Sequence, residues 1–188
     1  MRAFLAVEIP SEVREAVGDV IRHLRREALG VKWVRPEQLH LTLEFFADLA
    51  PECLPPLEEA VSTAAAAFAP APLRVRGLGA FRSGGRIRVL WAGIEDPGGR
   101  LSAFAGELRG ALAARRIEGD GKPFRPHLTL GRLREPTRNP ALERALSAGG
   151  DFQAGPFLPP RLTLFESTLT PEGPIHRALR QWPFGGTP

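Results

Sequence analysis

The sequence predicts an α+β fold: two lobes related by a pseudo-twofold axis, antiparallel-rich sheets facing a central cleft, and helices on the outside. Three observations carry that expectation. Strand-like runs alternate with helix-like stretches, and the order of elements runs through twice. The tetrapeptide His-Leu-Thr-Leu also occurs once in each half, at 40–43 and at 127–130, which points to internal duplication. A chain of 188 residues, 43% hydrophobic and 24% charged, suits a single bilobal domain over 1–188. The lobe halves divide at roughly 1–83 and 84–188, with the C-terminal segment free to cross back.

The first half opens with "RAFLAVEI" (2–9), which reads as a buried strand. Pro10 and Ser11 then start a helix with Ser11 as N-cap. Its apolar residues Val13, Val17, Val20, Ile21, Leu24 and Ala28 share one helical face, and Gly30 ends it. Strands at 31–34 and 39–46 are joined through Pro36. A helix from about Pro55 to Phe68 and a strand over 72–81 complete the half. After the turn "RSGG" the order restarts with a strand over 86–94 and a helix over 98–115, the latter with Leu101, Phe104, Leu108 and Leu112 in register. A strand at 124–133, a short helix around 139–147 and a final strand at 161–169 follow, and 175–184 closes the chain.

Charge narrows the partners only a little. The formal charge is +4, and all but two of the 25 cations (Lys32 and Lys122) are arginines. The planar guanidinium fork matches phosphate oxygens in a bidentate way, although a bias in composition gives the same count. The lone cysteine, Cys53, excludes an intramolecular disulfide framework and a cysteine-based zinc cluster. "MRAFLAVEIPSEV" meets Glu8 and Pro10 before an apolar signal region forms, and no apolar stretch approaches the ~20 residues of a membrane span. A soluble, cytoplasmic monomer is expected.

Side chains alternate across a strand, so His40 and Thr42 share one face while Leu41 and Leu43 take the other. The same holds for His127 and Thr129 against Leu128 and Leu130. If the leucines meet the covering helices, two imidazoles and two hydroxyls converge on the cleft. Opposed histidines suit displacement at phosphorus, one accepting a proton from the attacking oxygen and one giving a proton to the leaving oxygen. The threonine hydroxyls can steady the non-bridging oxygens, and neither metal nor cofactor is required. A lone His-x-Thr is ordinarily a polar strand face; the duplication is what separates these two. Zinc is disfavoured because each strand supplies one histidine, and Glu44, on the His40 face by alternation, has only Gly131 as its counterpart. No nucleophile-elbow sequence supports a Ser-His-Asp triad. His23 reads as solvent-facing and His176 as structural, since neither has a threonine two residues on.

At these residues the chain resembles the 2H phosphoesterase superfamily, defined by two H-x-[ST]-x motifs. More narrowly it is similar to the RNA 2′,3′-cyclic phosphodiesterases historically called 2′-5′ RNA ligases. The likeness runs nearly full length through "KWVRPEQLHLTLEFFADL", "FRPHLTLGR" and "LTLFESTLTPEGPIHRAL". It implies hydrolysis of a 2′,3′-cyclic phosphate at an RNA end to a 2′-phosphate, with His40 as proton donor to the 3′ oxygen and His127 as the base for water. It also implies weak ATP-independent 2′-5′ joining in reverse. Thr42 and Thr129 would hold phosphate oxygens, and the family implicates Arg132. Strict alternation puts Arg132 on the leucine face, so a twist or bulge at Gly131 is expected. The chain departs from the family at Phe46-Ala47, where a glycine is usual, and in having no tyrosine near His176.

The expected partner is RNA with a 2′,3′-cyclic phosphate end, such as tRNA fragments, or a small nucleotide. Arg125 joins Arg132 as a substrate-binding candidate. Phe45 and Phe81 are candidate base-stacking platforms, although apolar aromatics of this kind ordinarily belong to the core. Arg74 with Arg76, and Arg86 with Arg88, share strand faces and could track a backbone or solubilise an edge. The alternatives are a 2H enzyme acting on small cyclic nucleotides or 2′-5′ oligonucleotides, and a non-catalytic RNA-binding module.

Overall fold

Leucines fix which way each repeated strand faces. Leu41, Leu128 and Leu130 are fully buried and Leu43 is 4% exposed. Burying each contributes about 1.5–3 kcal/mol, so a one-residue slip of either strand would forfeit several such contributions at once. The computed structural model describes residues 1–171 and 173–185 as an α+β fold of two antiparallel sheets packed with helices. Chain order is β1 (Ala3–Glu8), α1 (Ser11–Leu24), β2 (Val31–Trp33), β3 (His40–Phe46), α2 (Leu54–Ala67), β4 (Leu73–Ser83) and β5 (Arg86–Glu95). Then come α3 (Arg100–Ala113), β6 (His127–Thr137), α4 (Pro140–Ala148), β7 (Gln153–Phe157), β8 (Arg161–Thr170) and β9 (Gly173–Pro183).

The helices present their apolar faces to one continuous core, with Val17 and Ile21 from α1, Val61 from α2, Leu108 from α3 and Leu146 from α4. Their ends differ in part from the sequence reading. Ser11 makes no capping bond, and α1 stops at Leu24 instead of reaching Gly30. Gly30, at φ +76°, instead turns the chain into β2, a backbone angle that a residue with Cβ rarely adopts. Side chains do cap two others. Asp96 accepts from the Leu101 and Ser102 amides at 3.0 and 2.8 Å, and Asn139 accepts from Leu142 at 3.0 Å. The strand β7, rich in Gly and Pro, escaped the periodicity.

The two sheets have the orders β3-β1-β8-β9 and β2-β6-β5-β4-β7. The chain therefore does not divide between them at 83/84. β2 and β4 leave the first half to join the second sheet, and β8 and β9 return from the second half to complete the first. The reason is visible in the ladders. β8 lies beside β1 with Phe165 opposite Phe4, and β4 lies beside β5 with Phe81 opposite Val89. Each repeat thus ends in a strand that completes the other repeat's sheet, a reciprocal exchange within one chain. Among the described residues, no helix is long and apolar enough to cross a membrane.

The exchange has a direct consequence for fragments. Residues 1–85 and 86–188 expressed separately should each lack cooperative unfolding by far-UV circular dichroism, because each sheet loses at least one interior strand. Mixing them should restore a cooperative transition.

Candidate active site

Both histidine-bearing strands carry the same irregularity. Along β1 and β3, Leu5 pairs with Glu44 and Ala6 with Thr42, leaving Leu43 as an extra residue. Along β5 and β6, Leu90 pairs with Gly131 and Trp91 with Thr129, leaving Leu130 extra. A bulge of one residue reverses the parity beyond it. The residues five places after each histidine, Phe45 and Arg132, consequently return to the histidine face, where Phe45 lies opposite Phe4 and Arg132 opposite Val89. Gly131 is required where it stands, since a Cβ there would meet Val31 Cγ1 of β2 at 2.6 Å.

The same bulge corrects the reading of Glu44. Parity reversal turns it away from His40 into the interior, where it is 4% exposed and accepts from Arg109 Nε of α3 at 2.6 Å. The matched ladders also make Trp91 the counterpart of Ala6.

His40 and His127 are held in the same way. Nδ1–H of His40 donates to the Gln38 carbonyl at 2.7 Å, and Nδ1–H of His127 donates to the Arg125 carbonyl at 2.6 Å. A carbonyl only accepts, so each Nδ1 must carry hydrogen and each Nε2 is left for a substrate. β3 and β6 run close to one another, and the His127 and Arg132 charges both reach His40. Burial pushes the His40 pKa down to about 4; the Gln38 carbonyl opposes this, while His176, Arg132 and His127 add to it. His127 is lowered as well, first by burial, with the Arg125 carbonyl opposing and Arg132 reinforcing. Burial also lowers Arg132, and two guanidinium neighbours, Arg2 and Arg88, act in the same direction.

Aromatic rings flank both imidazoles. Phe4 stacks on His40 at 4.6 Å between centroids, and Phe81 meets His127 edge-on at 4.9 Å. Phe81 thus sits at the site, while Phe45 carries the Arg2 guanidinium 4.4 Å above its ring. His176 of β9 approaches the His40 ring edge-on at 5.5 Å, and its buried Nδ1 has no hydrogen-bond partner among the described residues. Sequence reasoning took His176 as structural because it lacks the repeated motif. Its signal was alternation on β9 opposite Ser167 of β8, which required knowing that this strand returns to the first sheet. A cavity of about 290 Å³ opens beside His40, walled by Phe4, Phe165 and His176 with Glu8, Arg14 and Gln38.

Arg125, Arg74 and Arg76 fall outside this constellation, whereas Arg88 neighbours Arg132. Arg125 contributes its carbonyl, and its side chain is exposed. Arg74 donates to Gln153, Arg76 pairs with Glu95 at 2.6 Å, and Arg88 donates to the Arg134 carbonyl. Among the described residues, no three His, Cys, Asp or Glu side chains cluster as metal ligands.

Comparison with known proteins matches this geometry. The model of the LigT-like phosphoesterase family matches twice, over residues 7–91 and 93–176, with one HLTL strand in each copy. An RNA 2′,3′-cyclic phosphodiesterase of Thermus thermophilus is 36% identical over 99% of this chain and 91% of its own length. One from Archaeoglobus fulgidus is 34% identical, covering 96% and 98%. A crystal structure of a Thermus thermophilus protein superposes with a TM-score of 0.80 at 32% identity, covering 99% of both chains. With two family copies spanning most of its length and an HLTL histidine in each, this chain belongs to the LigT-like phosphoesterase family.

Proposed function

We propose that this protein hydrolyses RNA 2′,3′-cyclic phosphate ends to 2′-phosphates by acid–base catalysis between His40 and His127, acting as a monomer in the cytoplasm. The observation that carries the reading is the matched pair of imidazoles, each tied through Nδ1 to a carbonyl two residues back. Both Nε2 atoms then serve one phosphate. Following the family positions, His127 Nε2 accepts the proton of the attacking water as its oxygen bonds to phosphorus. The P–O3′ bond breaks, and His40 Nε2–H delivers its proton to O3′, leaving the 2′-phosphate. Thr42, Thr129 and Arg132 donate to the non-bridging oxygens as their charge grows. No step calls for a metal.

Burial keeps the empty site's imidazoles uncharged near neutrality, so the anionic substrate itself raises the His40 pKa and charges the acid. The relatives named RNA 2′,3′-cyclic phosphodiesterase support this choice of substrate.

The reaction should proceed in EDTA, and His40→Ala or His127→Ala should each lower kcat by at least ~10²-fold, the usual contribution of a positioned acid or base. Wild-type turnover in both variants would overturn the mechanism. In reverse, a cyclic-phosphate end and a 5′-hydroxyl end should join without ATP through a 2′-5′ linkage, checked by resistance of the joint to a 3′-5′-specific nuclease.

Proton linkage gives a further expectation. The folded His40 pKa lies near 4, below its unfolded value of 6.5, so the unfolded chain binds more protons between them. Stability to urea should therefore fall as pH drops from about 6.5 to about 4. Inorganic phosphate should raise the His40 pKa, read from its Nε2 nitrogen shift by NMR.

A further inference from the structure

The two histidine strands are not equally supported. β6 lies between β2 and β5, so His127 stands on an interior strand. β3 is an edge strand with β1 beside it, and β9 is the opposite edge of the same sheet. In a flat sheet, three strand spacings of ~4.8 Å would hold β3 and β9 ~14 Å apart. Yet the rings of His40 and His176, one on each edge, have centroids 5.5 Å apart. The sheet therefore curls until its edges approach one another over Phe4 and Phe165 of the strands between them.

A curl of that depth needs a hold across its open side. The His176 ring supplies packing, but its buried Nδ1 makes no hydrogen bond among the described residues. The polar hold comes from Gln38. Its side-chain Nε2 donates to the Pro174 carbonyl of β9 at 2.8 Å, two residues before His176. Its main-chain carbonyl accepts from His40 Nδ1 at 2.7 Å. One residue thus grips the imidazole with its backbone and the wall above that imidazole with its side chain. A 3₁₀ turn over Pro36–Gln38 fixes the carbonyl separately, with the Gln38 amide donating to Arg35 O at 2.8 Å and the Leu39 amide to Pro36 O at 3.1 Å. Loss of the side chain would therefore free β9 and leave the Nδ1 bond in place. The second repeat has no such strut, since Arg125, which carries the equivalent carbonyl, has an exposed side chain.

We propose that Gln38 is a positioning residue for the acid, its side-chain amide holding β9 closed over His40 so that His176 and the cavity wall keep water from the imidazole. The assignment rests on the reading of His40 as the acid and gives that role a support outside the two HLTL motifs. The charged and titratable groups around His40 are His127 and Arg132 of β6, His176 of β9 and, across the cavity, Glu8 of β1, Arg14 of α1 and Glu37 of the turn. Burial comes first in holding the His40 pKa down, so release of β9 acts on it directly.

The test follows the ring nitrogens of His40 and His127 by NMR in phosphate-free protein, with kcat and KM measured on a 2′,3′-cyclic phosphate end alongside. In Gln38→Met, similar in length but without a donor, the His40 pKa should rise from about 4 toward 6.5 with the Nδ1–H tautomer kept, while the His127 titration stays where it is. The value of kcat should fall about tenfold and KM should change by less than about twofold. Should Gln38→Met fail to fold by circular dichroism, Gln38→Asn, one methylene too short to reach Pro174, should give the same changes. An unmoved His40 titration, an equal movement of both histidines, or an unchanged kcat would overturn the proposal. A wild-type protein inactive on cyclic phosphates would instead remove the hydrolase reading, and the nitrogen shifts would still show whether Gln38 holds β9 over His40.

Discussion

One supernumerary residue in each of two antiparallel ladders governs this site. Buried leucines hold β3 and β6 in register, and the bulges at Leu43 and Leu130 reverse which side chains reach the histidine face beyond them. Without them, Arg132 and Phe45 would point into the core. The residue that follows each bulge must turn inward, and the two repeats meet that demand differently. At Gly131 there is no side chain, because β2 lies across the position. At Glu44 the carboxylate is buried against Arg109, an arrangement acceptable only because a cation and a hydrogen bond come with it.

The chemistry follows from crowding like charges in a partly dry place. Burial comes first in holding down the protonation of His40, His127, His176 and Arg132, and cationic neighbours, Arg2 among them, add to it. What relieves every one of these interactions is an anion. In the proposed reaction, acid catalysis and phosphate binding are therefore coupled: the group to be cleaved supplies the field that protonates its own acid.

Much of this was legible in the sequence, and the losses have identifiable physical causes. The HLTL pairs, the helix faces and most strands announce themselves through period and repetition, which are local properties. The bulge at Gly131 was expected only because family position and alternation disagreed about Arg132. Its twin at Leu43 went unsuspected, since Glu44 can pass for a cleft residue until Arg109 is seen beside it. His176 was missed for another reason. It reaches the site through β8, a strand whose partner is set by topology and leaves no local trace in composition.

The exchange of β4 and β8 also sets an order of events during synthesis. β1 and β3 emerge from the ribosome early, yet the sheet that carries His40 has an open edge until β8 and β9 follow, and β9 ends at Pro183. The second sheet, with its β4 already made, can close before the first. The wall of the His40 cavity built from Phe165 and His176 is thus translated after both HLTL strands. A growing chain therefore holds both histidine strands before the cavity beside His40 has its far wall.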